Sequence, residues 1–265
     1  MKAQGATEYL VLMSVVLMIA LVCIAILVWP TGTTSDVRKS QAGVKFGIGK
    51  IACEDLTKGL VAYYKFDDVP GATISSIEGM PDASFVNGTS VTSGVRDKAA
   101  YFDGTDDYVL ITGMNANTVA GGKNTVAFWM NKSSSASKMA FGWGGTSYDL
   151  YFSSGCLGFN SGAGDLLGTS FPSASYVNKW VHVAAVFYNG ALDATNNELW
   201  INGVKQDISG CGGSSSSGTA RTSALIGTWS SRSLFFDGKI DDVHIYNRAL
   251  SESEIEQLYE NPGCP

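Results

Sequence analysis

The sequence predicts an N-terminal hydrophobic α-helix followed by an all-β domain, an antiparallel β-sandwich that ends in a short C-terminal helix. Three observations carry this. Tyr9 to Trp29 is an apolar run without a charged residue. From Gly59 onward, short runs of β-branched and aromatic residues alternate with turns rich in Gly, Asn and Asp. Finally, Ser251-Glu252-Ser253-Glu254 forms a capping-box signature ahead of Ile255, Leu258 and Tyr259.

As a helix, the Tyr9–Trp29 run would extend about 30 Å at roughly 1.5 Å per residue, enough to cross a bilayer core. In a secretory signal peptide the polar cleavage site follows the apolar segment, whereas here the polar stretch Lys2-Ala3-Gln4-Gly5-Ala6-Thr7-Glu8 precedes it. The stretch resembles the class III signal peptide of archaeal type IV pilins, in which a prepilin peptidase cuts just before a glutamine. The resemblance rests on Gln4, Ala6, Glu8 and Leu12, with Ala6 standing where serine is commoner. It implies cleavage between Ala3 and Gln4, so that the apolar helix stays on the mature chain. Lys2 supplies the positive charge expected on the cytoplasmic side. Glu8 is the distinctive residue, because a lone carboxylate at a membrane edge is costly to bury unpaired. By the same resemblance it would meet the free amine of Gln4 on another copy. A plain uncleaved anchor with an incidental Glu8 is the alternative. The expected organisation is a cleaved segment 1–3, a transmembrane or filament-core helix 4–29, a linker or stalk 30–52 and a head domain 53–265.

The chain has 265 residues and a formal net charge of −6, and its Lys and Arg are scattered, which argues against nucleic-acid binding. Few residues are charged (16%) while Gly is abundant, the profile of an exported β-rich domain with polar turns. Cys23 lies within the apolar run and reads as a small buried hydrophobe. Cys53, Cys156, Cys211 and Cys264 form an even set with three possible connectivities. Cys53–Cys264, tying the two ends of the head, with Cys156–Cys211 inside it, is the expected pairing. No C-x-x-C spacing points to zinc or redox chemistry.

Pro30 ends or kinks the first helix. The β runs are Leu60–Phe66, Ala99–Phe102, Tyr108–Ile111, Thr125–Met130, Tyr148–Phe152, Trp180–Phe187, Glu198–Ile201, Ala224–Ile226 and Lys239–Tyr246. Trp180–Ala184 and Lys239–Ile245 show period-two alternation. Asn202-Gly203 between two such runs predicts a hairpin with a type I′ turn. Eight or more short strands with this punctuation imply two packed sheets. In the last helix, Ser251 caps, Glu254 reaches back to the cap, and Asn261-Pro262-Gly263 ends the element.

Phe102-Asp103-Gly104 with Asp107-Tyr108-Val109, Trp180-Val181-His182-Val183-Ala184, Leu199-Trp200-Ile201-Asn202-Gly203 and Gly238–Ser251 together resemble the concanavalin A-like, laminin G-type jelly rolls. They fall in family order over about Gly59 to Tyr259. The fold serves many functions, so ligand must be argued from the site. Members often hold one Ca²⁺ between the first and last strands. Among Asp67, Asp68, Asp103, Asp106, Asp107, Asp237, Asp241 and Asp242, the resemblance selects Asp67 and Asp241 as ligands, with Asp103 third. The alternative is ordinary turn aspartates that accept nearby amides.

Glycan binding needs an aromatic platform beside polar groups. Trp143 and Tyr148 flank Gly144-Gly145-Thr146-Ser147, and Trp229 sits in Gly227–Arg232; both stretches read as loops, whereas Trp129, Trp180 and Trp200 read as core. Glycoside hydrolases on this type of sandwich place Glu-x-Asp-x-x-Glu on a strand, and no strand here carries that triplet. His182 and His244 lie on strands, with no sign of a nucleophilic triad. Asn87-Gly88-Thr89 and Asn131-Lys132-Ser133 are N-glycosylation acceptor sequences. The sequence therefore predicts a non-enzymatic subunit of a surface filament, membrane-inserted as a precursor, with a lectin-like head. A membrane-anchored binding protein that never polymerises is the runner-up.

Overall fold

The structure is a computed structural model that describes residues 56–67, 73–74, 77, 79–162, 166–209, 211 and 216–264. All belong to the compact unit Ala52–Pro265. The apolar run, the processing residues Ala3 and Gln4, the proposed partner Glu8 and the linker lie outside the described residues. Among the described residues, no helix is long and apolar enough to cross a membrane.

In chain order the strands begin with β1 (Leu60–Tyr64), β2 (Thr73–Ile74), β3 (Ala83–Val86), β4 (Ser90–Ser93), β5 (Lys98–Asp103) and β6 (Tyr108–Ile111). There follow β7 (Lys123–Lys132), β8 (Lys138–Trp143), β9 (Asp149–Ser153), β10 (Cys156–Asn160), β11 (Leu167–Ser170) and β12 (Val181–Tyr188). The last six are β13 (Gly190–Ala191), β14 (Glu198–Ile201), β15 (Val204–Lys205), β16 (Ser217–Gly218), β17 (Ala224–Ile226) and β18 (Asp237–Tyr246). Helix α1 (Ser173–Tyr176) precedes β12, and α2 (Glu252–Glu260) follows β18.

The first sheet runs β15-β14-β12-β7-β18-β5-β4, with β1 also paired to β18. The second runs β11-β10-β9-β8-β17-β6-β3-β2. All pairings between strands are antiparallel, as the short turns require. Strand alternation delivers Val126, Phe128 and Met130 of β7, and Leu150 and Phe152 of β9, into one main core between the sheets. Asn202 and Gly203 adopt φ of 49° and 75°, so the β14–β15 hairpin turns as the Asn-Gly pair predicts. Cys156 and Cys211 are bonded. Cys264 is disulfide-bonded as well, and its expected partner, Cys53, lies outside the described residues.

β18 departs from simple alternation. Asp241 pairs with Trp129 and His244 with Ala127, so three steps on β18 match two on β7. Asp242 sits in this bulge at φ 47°. The extra residue moves Val243 and Ile245 to the face of Ile240, and all three join the main core.

The outer face of the first sheet carries a second apolar cluster. Leu60, Tyr63, Ala127, Ala184, Trp200 and Tyr246 pack against Leu250, Ile255 and Leu258 of the α2 segment. The predicted capping box is present, with the Ser251 side chain accepting from Glu254 N and the Glu254 side chain from Ser251 N. Arg248 adds a two-pronged pair to Glu254 at 2.7 and 2.9 Å. Trp129 and Trp180, expected in the core, are only half buried. Trp129 faces outward and stacks on Tyr259 of α2, with ring centroids 5.6 Å apart. Strands such as β4 (Ser-Val-Thr-Ser) and β10 (Cys-Leu-Gly-Phe-Asn) were not expected, because their polar and small residues mask the β pattern.

Candidate functional site

Two regions gather chemistry-bearing side chains. The first is the junction of β1 and β18, where Asp67 and Asp241 both reach the turn between β4 and β5. Asp241 is 1% exposed. Its Oδ2 accepts the amides of Val95 (2.9 Å) and Arg96 (3.4 Å), and its Oδ1 accepts the amide of Asp242 (2.8 Å). Asp67 Oδ1 accepts the amide of Lys98 at 3.0 Å. Burial and the adjacent Asp242 push Asp241 up to about 8, against the three amides that favour its charge. Asp103 is not at this place. It pairs with Asp237, four residues before Asp241 on β18, which is about 13 Å along a strand. Its carboxylate accepts Thr105 N at 2.7 Å within its own turn. The predicted ligand set is thus divided; both oxygens of Asp241 and Oδ1 of Asp67 accept backbone amides. Among the described residues, the acids whose oxygens converge within 4.8 Å are Asp103, Asp106 and Asp107, on the β5–β6 turn, two of them exposed.

The same junction holds His244. Its Nδ1 lies 2.9 Å from the carbonyl of Asp242 and its Nε2 2.6 Å from that of Cys264, and Tyr63 stacks on the ring at 4.2 Å. His182 is 2% exposed, and burial lowers its pKa to about 3, so it stays neutral. Among the described residues, the ring-nitrogen partners of His244 are backbone carbonyls, and His182 Nδ1 has none.

The second region is the outer face of the second sheet. Register places Ser84, Leu110, Leu225, Gly142, Asp149 and Asn160 in one row across it. Their strand neighbours Val109, Phe141, Leu150 and Phe159 point the other way, into the core. Asp149 is completely buried. Its Oδ2 accepts Asn160 Nδ2 at 3.3 Å, while its Oδ1 has no hydrogen-bond partner. Gly142 makes room for it, because a Cβ there would overlap Asp149 Oδ1. Burial pushes the Asp149 carboxyl up to about 8, with Asn160 opposing and no second charge involved. At neutral pH this side chain is mainly an uncharged acid that can donate a hydrogen bond.

The loop after β17 rises over this face. The Thr228 carbonyl lies 3.6 Å from where a Gly142 Cβ would be. Trp229 is half buried, and its Nε1 is enclosed without a partner. Arg232 is exposed, sits at φ 59° and lays its guanidinium 4.6 Å over the Tyr108 ring. Leu234, at φ 56°, is a second left-handed non-glycine residue in this loop. Such conformations cost on the order of 1–3 kcal/mol each and persist where surrounding structure holds them. Tyr151, half exposed, adds another ring to the same face.

The other predicted platform is corrected. Trp143 is fully buried, edge-on to Phe141 and Phe187, and Tyr148 is 1% exposed. The Tyr148 hydroxyl donates to the Tyr188 carbonyl at 2.7 Å and accepts from Asn197 at 2.9 Å. The glycines between them make a tight β8–β9 turn that returns both rings to the core. Asn87 is exposed but donates to the Asp106 carbonyl at 2.7 Å, and Thr89 is nearly buried. Asn131 is half buried within β7. Asp149, Asn160, Tyr151 and Arg232 were missed. An acid alternating with Leu150 and Phe152 was the available signal.

The laminin G-type family described as "Concanavalin A-like lectin/glucanases superfamily" matches residues 103–256, more than half of the chain. The chain belongs to this superfamily. Comparison with curated protein sequences returns no match. Among solved structures, domain 4 of the arabinanase AbnA from Geobacillus stearothermophilus, determined with arabinotriose, is 22% identical with a TM-score of 0.55. The match covers 76% of this chain and 98% of that domain. The ligand-binding domain of botulinum neurotoxin serotype D, determined with N-acetylneuraminic acid, is 15% identical, TM-score 0.56, covering 79% of this chain and 52% of that one. Trypanosoma rangeli sialidase is 16% identical, TM-score 0.55, covering 76% and 33%. At these identities the likeness is one of fold.

Proposed function

We propose that the protein is a subunit of an archaeal type IV pilus-like surface filament whose lectin-like head binds glycans on cells or surfaces. The observation that carries the binding reading is the outer face of the second sheet, where half-exposed Trp229 and Tyr151 accompany the exposed Arg232 laid over Tyr108. Half-exposed rings bordered by hydrogen-bonding groups are what a sugar requires, with its apolar ring faces and hydroxyl rim. Two of the structural neighbours were determined with saccharides, which supports the same ligand class. Hydrolysis is disfavoured: a retaining or inverting mechanism uses two carboxylates, and no strand run of the sequence carries the Glu-x-Asp-x-x-Glu triplet of glycoside hydrolases on this type of sandwich.

The filament reading rests on Gln4, Ala6, Glu8 and Leu12 ahead of the apolar run. A helix apolar around its whole circumference is satisfied when other copies surround it after it leaves the membrane. Prepilin peptidase and further copies of this chain are then its partners, and the cell surface its location.

Glycan-array screening of the purified chain, repeated with Trp229→Ala, tests the binding half; wild-type silence on the array sinks it. Mature N-terminal sequencing should return Gln4, and cells lacking the protein should lose a class of filament under the electron microscope. An intact Met1 would overturn the filament half.

A further inference from the structure

The family resemblance puts a calcium ion where the first and last strands meet, yet here the chain's own backbone occupies that role. Val95, Arg96 and Lys98 belong to one turn, Gly94–Lys98, and their amides satisfy Asp241 and Asp67 together. Asp242 N supplies a further donor to Asp241 from within β18.

We infer that this turn is a built-in substitute for the metal, so that the junction of β1 and β18 is held by amides and takes no calcium. The chemistry is of one kind, because backbone N–H groups present partial positive charge to carboxylates much as a cation does. The two solutions compete for the same carboxylate oxygens. Calcium takes six to eight oxygen ligands at about 2.3–2.6 Å. Asp241 Oδ2 already accepts two N–H bonds and Oδ1 one, so an ion held by both oxygens would displace an amide of the turn from Oδ2.

Residue 94 is matched to the task. A Cβ at Gly94 would overlap Asp241 Oδ2 and lie 2.6 Å from the Lys98 carbonyl, so only glycine lets the turn close on the carboxylate. Gly94 N donates to the Asp97 carbonyl at 3.1 Å, and Asp97 adopts φ 49° to complete the loop. Beside it, Tyr63 O–H donates to Asp242 Oδ1 at 3.0 Å, and Arg96 Nη1 donates to the Pro262 carbonyl at 2.9 Å. The turn therefore joins the segment after β1, the bulge of β18 and the C-terminal tail.

The test is calorimetry of the purified full chain in EDTA and in millimolar calcium, for wild type, Asp241→Asn and Gly94→Ala. Wild type should melt at the same temperature in both buffers, whereas an ion held at a hundred times its Kd would raise Tm by about 5–10 °C. Both variants should melt several degrees lower, by the same amount with and without calcium. A calcium-dependent rise in wild type that Asp241→Asn abolishes would overturn the inference, as would a Gly94→Ala chain that melts like wild type. A calcium shift that survives Asp241→Asn upholds it, because the ion is then bound elsewhere. The wild-type measurement stands even where a variant fails to fold.

Discussion

The outer faces of the two sheets have opposite fates. That of the first is roofed by α2, which adds Ile255 and Leu258 to an apolar cluster with Tyr63, Trp200 and Tyr246. That of the second carries no comparable apolar cluster among the described residues. It keeps a buried acid with a free oxygen, half-exposed rings and a loop with two left-handed non-glycine residues. The difference teaches where this chain places stability and where it places chemistry. Side chains on the first face pack mutually beneath α2, although Trp129, His182, Trp200 and Tyr246 leave polar atoms there without a partner as well. The second face differs in its half-exposed rings and its strained loop.

The comparison is broken most forcefully by removing the roof. Ile255→Ala, at a fully buried position, should destabilise the head by about 2–5 kcal/mol and lower Tm by about 5–15 °C. Tyr151→Ala on the open face should cost under about 1 kcal/mol. Equal losses in denaturant titrations would mean that both faces are structural.

Next in size is the pH effect of Asp149. The folded pKa of Asp149, about 8, lies above the unfolded value, so between these pH values the folded head retains a proton that the unfolded chain has lost. Its contribution to stability is complete below about pH 4 and declines as pH rises toward 8, by at most about 1.4 kcal/mol per unit. Urea midpoints across that range should show the slope, and Asp149→Asn should remove its share. A slope unchanged in the variant would refute the assignment.

A smaller effect belongs to the roof. Arg248 and the cap residue Ser251 hold Glu254 down to about 2. Its contribution is present above the ordinary carboxylate range and is lost as pH falls through about 2. Glu254→Gln should cost about 1 kcal/mol at neutral pH and much less in strong acid. The smallest stability change is expected for Arg232→Ala, within about 0.5 kcal/mol, while retention on immobilised glycans drops. If stability falls and retention holds, the loop is a structural clamp rather than a binding element.

What was legible in the sequence follows from the range of each interaction. The capping box and the Asn-Gly hairpin are encoded within four residues, and both are present as read. The two-sheet architecture was legible from alternation and turns. Trp143 and Tyr148 were misread because the glycines between them mark a turn but say nothing about which way its flanks point. Asp241 and Asp242 interrupt the alternation of Ile240, Val243 and Ile245, and that doubled acid was the trace of a bulge. The partners of Asp241 could not be read at all, since Val95 and Arg96 lie 146 and 145 residues away.

β18 carries a consequence for how the chain comes to be folded. It is the last strand made, yet it lies inside the first sheet, bonded to β7, β5 and β1. Tyr63 meets Asp242 only across 179 residues. A chain delivered N-terminus first must therefore carry β1, β5 and β7 with vacant edges until almost the whole head has arrived. Contacts that distant form slowly, and open apolar edges invite misassociation in the interval. Completion of the first sheet thus waits for the arrival of residues 237–246.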